Sequence, residues 1–322
     1  MTRYLAQRLL QTLVVLVLMS VVIYGLIGLM PGDPVDLMVS SDPDLTPADA
    51  ERLKALYGLD LPLYERYANW ARAALAGDFG YSRLHARPVL EILLPRLGNT
   101  IVLLGLSFVL ALAIALPAGV YAALRPYSRT DYAINLLCFA GISVPPFWLA
   151  LMLIIAFSVI LGVLPASGMA TVGVDSLADK AKHLVLPVLT LVIISAGDFT
   201  RFMRAAMIET LRQDFIRTAR AKGASAKRVI WKHALKNALL PVVTVIALRF
   251  GFLFSGALII ETIFAYPGMG KLIYDAIMGN DFNLALMGLL FATLLTLLAN
   301  LAADLAYAWL DPRISLSEAG AR

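Results

Sequence analysis

Six apolar blocks limit what this chain can fold into. Leu9–Leu29, Thr100–Leu124, Tyr132–Leu161, Leu184–Met207, Asn237–Ile260 and Leu284–Leu310 are each long enough to cross a hydrocarbon layer as a helix. Their apolar residues do not keep to one stripe. Such a helix has no face to turn toward water and must lie against lipid or other apolar helices. The bulk numbers agree, with 60% hydrophobic residues, 15% charged residues and a mean hydropathy of +0.79; soluble domains carry about 25% charged residues. The expected fold class is all-α: a polytopic membrane protein of about six transmembrane helices.

The net charge of +5 does not point to nucleic acid, because the basic residues lie beside the apolar blocks. Cys138 is the single cysteine, which excludes an intrachain disulfide and a cysteine-rich metal site. At the N-terminus, Arg3 and Arg8 precede an apolar run too long for a signal core, and Leu26-Ile27-Gly28-Leu29-Met30-Pro31 offers no small-x-small cleavage site. The run is expected to be a retained first span.

Six spans put both termini on one side. Arg201 to Lys236 carries ten basic residues against Glu209 and Asp214, which assigns that segment to the cytoplasm. The Arg125–Arg129 turn and the Arg3/Arg8 terminus fall on the same side. Pro31 to Asn99 is then external. Within it, Thr46-Pro47-Ala48-Asp49 reads as a capping box opening a helix toward Tyr57. A second helix, Pro62 to Ala76, aligns Tyr64, Tyr67, Trp70 and Ala71 on one stripe. That stripe either packs on its neighbours and the membrane surface or docks a soluble partner. Pro145-Pro146 is expected to break or kink the third span.

Enzyme motifs do not emerge. Pro267-Gly268-Met269-Gly270-Lys271-Leu272 resembles the tail of a phosphate-binding loop, but Ala265 replaces the first glycine and Leu272 the hydroxyl residue. His85, His183 and His233 are expected in three separate loops, without metal-protease spacing. The chain is expected to be no enzyme and to hold no metal or cofactor.

The basic segment carries the most distinctive pattern. In Arg217-Thr218-Ala219-Arg220-Ala221-Lys222-Gly223-Ala224, small residues allow close approach of another surface, and Gly223 permits a turn between two short helices. Phe215 and Ile216 supply apolar anchors ringed by arginines, the arrangement of a protein-docking knob. A basic juxtamembrane patch holding anionic lipid has the same composition. The residues alone leave both readings open.

Arg217 to Gly223, followed by His233-Ala-Leu-Lys-Asn-Ala-Leu-Leu-Pro241, resembles the cytoplasmic signature of ABC importer permeases, in the version of the dipeptide, oligopeptide and nickel branch. The likeness continues in Pro31-Gly32-Asp33-Pro34, Gly77-Asp78-Phe79-Gly80, Gly141-Ile-Ser-Val-Pro-Pro-Phe-Trp148, Leu164-Pro-Ala-Ser-Gly168, Glu261-Thr-Ile-Phe-Ala-Tyr-Pro-Gly-Met-Gly270 and Asp311-Pro-Arg313. One departure concerns the broader signature, which begins Glu-Ala-Ala where this chain has Arg217-Thr218-Ala219. That favours the peptide branch over sugar importers.

The resemblance implies a type I importer permease fold in the bacterial inner membrane, with cytoplasmic termini. It implies a coupling helix within loop 208–236, with Arg217 to Ala224 seated in a groove of a cytoplasmic ATPase. The implied partners are two ATPase subunits holding ATP and magnesium, a second, distinct permease subunit, an extracytoplasmic binding protein, and a di- or oligopeptide substrate. Nickel, glutathione and other small solutes are the alternatives within the family. By domains, 1–30 is a first span, 31–98 an external segment, 99–311 a five-helix core and 312–322 a cytoplasmic tail.

Charges inside apolar spans are costly and find partners or line a cavity. Asp198 and Arg249 are therefore either a structural pair or part of the translocation path, while Arg201 and Asp304 are expected near the cytoplasmic interface. A channel or ion-coupled carrier is the rival from another class. It would leave the basic loop without a purpose.

Overall fold

The computed structural model describes residues 2–29, Thr46, Ala48, Glu51, Arg52 and 60–310, apart from the side chains of 2–5, 244, 247–256, 303, 304 and 306–310. Its elements in chain order are α1 (Thr2–Gly28), α2 (Leu63–Leu75), β1 (Tyr81–Ser82), β2 (Arg87–Pro88), α3 (Val89–Leu124), α4 (Arg129–Ser143), α5 (Pro146–Leu153), α6 (Leu177–Leu211), α7 (Asp214–Ala221), α8 (Leu235–Ile263), α9 (Met269–Met278) and α10 (Phe282–Leu310). Two π-helical stretches, Ile154–Ile160 and Val229–Ala234, extend α5 and lead into α8. The helix expected from Thr46 toward Tyr57 falls almost wholly outside the described residues. So do Pro31-Gly32-Asp33-Pro34 and the segment from Asp311 on.

Among the described residues, four helical stretches are long and apolar enough to span a membrane: Ala6–Gly28, Val89–Leu124, Leu177–Leu211 and Phe282–Ala302. A fifth candidate is broken. Arg129–Ser143 and Pro146–Ile160 meet at 103°, at the Pro145-Pro146 pair expected to break or kink the span over Tyr132–Leu161. Val144 is extended, with φ −84° and ψ 128°, because the ring of Pro145 disfavours helical backbone in the residue before it. Pro146 then opens α5 at a position where no N–H is needed. The expected fifth span coincides with α8, which runs unbroken past Pro241.

The chain divides into two compact units, residues 2–99 with 268–295, and residues 100–267 with those from 296 on. In the first unit, Ile23, Ile27, Leu93, Leu272, Ile273 and Leu290 belong to one buried apolar cluster. Tyr67 and Trp70 of α2 pack on Tyr24 of α1 at ring separations of 5.5 and 5.7 Å. The Tyr67 hydroxyl lies 2.8 Å from that of Ser20. The aromatic stripe therefore serves packing at Tyr67 and Trp70, while Tyr64 stays exposed. Asp281 organises the other end of this unit. It accepts from Ser82 Oγ at 2.5 Å and from the Leu84 N–H at 3.1 Å. Its second oxygen accepts from the Leu284 N–H at 3.3 Å, capping α10.

The second unit is built around α6. A Cβ added at Gly119 of α3 would lie 2.7 Å from the Thr200 carbonyl, so α3 approaches α6 backbone to side-chain root. Gly141 and Gly197 do the same between α4 and α6. Small residues at such contacts are what let membrane helices approach closely. Away from the basic segment, the Gly168 N–H donates to the Phe264 carbonyl at 2.8 Å, bringing the Leu164–Gly168 and Glu261–Gly270 motifs together. Thr100 donates to the buried Glu261 carboxylate at 2.6 Å. Burial, with Glu261 beside it, pushes the Tyr266 phenol up to about 12.

One sequence expectation needs correction. His183 lies within α6, its Nδ1 3.6 Å from Asp179, and His233 lies in a π-helix; only His85 is in a loop. The Gly268-to-Leu272 segment opens α9, and Lys271 pairs with Asp275 at 2.6 Å.

Candidate functional site

The basic segment folds as a short helix suspended from a long one. α6 ends at Leu211, and Arg212 and Gln213 form the joint to α7. Asp214 in the first turn and Arg220 in the last suit the helix dipole. Arg217 reaches back to Asp214 at 3.2 Å, an exposed contact of little energetic weight.

The far end of α7 closes by a Schellman motif. The Ala224 N–H donates to the Ala219 carbonyl at 3.1 Å and the Gly223 N–H to the Arg220 carbonyl at 2.9 Å. The motif needs a left-handed residue, and Gly223 supplies it at φ +79° with open space around it. Ser225 then accepts from the Arg228 N–H and starts the turn that runs into the π-helix. The expected turn between two short helices is therefore present.

The two apolar anchors part company. Ile216 is fully buried in a cluster with Val120, Met203, Met207, Val229, Ala234, Ala238 and Val242. It fastens α7 to its own unit and is not available to a partner. Phe215 is 43% exposed. Arg217, Thr218, Arg220, Ala221, Lys222 and Gly223 are exposed as well, while Ala219 and Ala224 are half-buried. Behind this face, Ala219, Lys222, Gly223, Ala224, Arg228, Lys232 and His233 line an open cleft of about 290 Å³.

The other expected site residues lie elsewhere. Asp198 is half-buried on α6. The backbone of Arg249 belongs to α8, but its side chain lies outside the described residues, as does that of Asp304. Arg201 stacks over the Phe139 ring at 4.9 Å, a cation–π contact between α6 and α4.

One arrangement escaped the sequence reading. Arg204 of α6 grips Asp131 of α4 through two hydrogen bonds of 2.6 Å, Nε to Oδ1 and Nη2 to Oδ2. The Tyr127 N–H and the Asn135 amide donate to the same carboxylate at 2.8 and 2.7 Å. Ser128-Arg129-Thr130-Asp131 carries a legible capping pattern, and Ser128 does cap α4. Nothing along the chain links it to a residue on α6.

Residues 115–316 match the family described as binding-protein-dependent transport system inner membrane component. Residues 1–104 match that family's N-terminal component. The chain belongs to this family. It is 39% identical to the oligopeptide transport system permease protein AppB of Bacillus subtilis, over 98% of this chain and 99% of that protein. It is 37% identical to the glutathione transport system permease protein GsiC of Escherichia coli K12, over 98% of this chain and 99% of that one. Among solved structures, an inward-facing form of the MetNI methionine ABC transporter superposes with a TM-score of 0.55 at 19% identity. That match covers 69% of this chain and 97% of the other and extends to the fold alone. The protein is thus a multi-pass permease subunit of an inner-membrane transport system and not itself an enzyme.

Proposed function

We propose that this subunit forms half of the pathway for ATP-driven import of di- or oligopeptides, with α7 as its coupling helix. The observation that carries the proposal is the division of labour within α7. Ile216 anchors the helix internally, while Phe215, Arg217, Thr218 and the run from Arg220 to Gly223 stay exposed on a face closed by a rigid cap. A short helix held in this way transmits force, whereas a mobile basic patch that only attracts lipid needs no buried anchor. The exposed phenylalanine ringed by basic residues suits a groove with an apolar floor and an acidic rim.

On this reading, two ATPase subunits bind ATP and magnesium, an extracytoplasmic binding protein delivers substrate, and a second, distinct permease completes the pathway. The basic segment faces the cytoplasm together with both termini. Rocking of helix bundles about a central site moves the substrate, and Asp198 and Arg249 are candidates for lining that path or for pairing within it. A peptide is the favoured substrate because AppB carries that function in its name. The likeness to GsiC supports glutathione, itself a peptide-like solute, as the second reading.

The test is co-purification of an ATPase with the detergent-solubilised wild-type chain and with Gly223→Arg. An ATPase that accompanies the wild type and is lost from the variant supports docking at α7. A wild-type chain that purifies alone and moves solute without ATP overturns the proposal in favour of a carrier.

A further inference from the structure

We infer that Asp131 and Arg204 are positioning residues that transmit the movement of α7 to the break between α4 and α5; the inference rests on α7 being the coupling helix. α4 and α6 run antiparallel in tight register. A Cβ added at Gly141 would stand 2.8 Å from the Ile193 carbonyl, and one at Gly197 would stand 2.8 Å from the Cys138 carbonyl. Asp131 and Arg204 continue the same register toward α7. The helix pair is thus interlocked backbone to backbone along its middle and gripped by a charged fork at one end.

That grip joins three elements through one carboxylate. Asp131 is 2% exposed and accepts from two guanidinium nitrogens, from the Asn135 amide and from the Tyr127 N–H. Four donors match the four lone-pair sites of a carboxylate. Tyr127 lies in the turn between α3 and α4 and holds a left-handed φ of +63°, a conformation that a non-glycine residue keeps only when its surroundings fix it. Asp131 therefore pins the α3–α4 turn, the start of α4 and α6 together.

Its place along the chain gives the grip leverage. Arg204 stands seven residues before the end of α6, about 10 Å at the rise of an α-helix, and α7 follows after a two-residue joint. Displacement of α7 tilts this end of α6. The fork passes the tilt to α4 without slack, and α4 ends at the 103° break before Pro146. A planar guanidinium bound at two points resists rotation as well as separation; a single-point ion pair does not.

The experiment uses the complete transporter carrying Ser143→Cys, beside the break, in a Cys138→Ser background. The rate of maleimide labelling is read with and without ATP, alongside ATP hydrolysis and co-purification of the ATPase. This readout needs no knowledge of the substrate. ATP is expected to change the labelling rate by about fivefold or more in the parent. In Asp131→Asn that change should fall below twofold, with the ATPase still bound and active, and Arg204→Lys should give an intermediate value. An ATP response preserved in both variants overturns the inference and leaves docking at α7 intact. So does a parent that binds its ATPase and shows no response. If both variants fail to yield folded complex, the pair is a staple of the fold and the inference falls. If no ATPase accompanies the parent, α7 is not a coupling helix and the inference falls with that reading.

Discussion

Thr100 donates its hydroxyl to the carboxylate of Glu261 at 2.6 Å, with both residues almost completely buried. The bond ties α3 to the last turn of α8, where the chain leaves its apolar span. A hydrogen bond to a buried carboxylate costs about 1–3 kcal/mol when one partner is removed. Thr100→Val preserves shape and removes the donor, so it is expected to lower the melting temperature of the detergent-solubilised protein. Thr100→Ser keeps the hydroxyl and should melt close to the parent.

The glycines of the α4–α6 contact make a second test. Gly197→Ala places a Cβ 2.8 Å from the Cys138 carbonyl, where backbone and not a flexible side chain must yield. Overpacking of this kind costs about 1–3 kcal/mol. Gly105 of α3 has nothing within 4 Å of its Cβ position. Gly105→Ala gains helix propensity of about 1 kcal/mol. The two substitutions are expected to move the melting temperature in opposite directions; a fall with both would mean that the close approach at Gly197 is not the cause.

Neighbouring residues on α7 should separate stability from docking. Ile216→Ala empties a fully buried site and should cost about 2–5 kcal/mol. Phe215→Ala, at an exposed position, should leave the stability within about 0.5 kcal/mol of the parent while weakening retention of the ATPase on a column. Equal effects of the two on both measurements would remove the distinction between anchor and docking face.

In the unit formed by residues 2–99 and 268–295, Asp281 holds the β1–β2 hairpin to the start of α10. Ser82→Ala removes its 2.5 Å donor while Leu84 and Leu284 continue to donate. The expected result is faster hydrogen exchange in the hairpin, with exchange in α6 unchanged. Exchange rising equally in both would mean that the bond supports the whole molecule and not one local element.

Much of this architecture is legible along the chain because the bilayer simplifies it. Blocks without a polar face have one environment open to them, so spans such as Thr100–Leu124 and Leu184–Met207 follow from composition and length. The turn at Gly223 was readable because a glycine after a short basic helix has a specific backbone use. What the residues could not supply is partnership across the chain. Asp131 looks like an ordinary capping residue and Arg204 like one more positive charge beside a membrane span. Their 73-residue separation carries no local signal. The same holds for Thr100 with Glu261. Phe215 and Ile216 looked alike because adjacent apolar residues on a short helix point different ways, and only packing decides which is buried. At Pro145-Pro146 the break was readable but its 103° angle was not, since the angle depends on what α4 and α5 pack against.

Uptake by liposomes containing the complete transporter tests the central claim most directly. With a radiolabelled tripeptide outside and ATP inside, accumulation is expected to require ATP, the binding protein and an intact α7. It should be lost in Gly223→Arg. Accumulation at the same rate in liposomes that hold this chain alone, without ATP, would contradict the claim and make the protein a carrier in its own right.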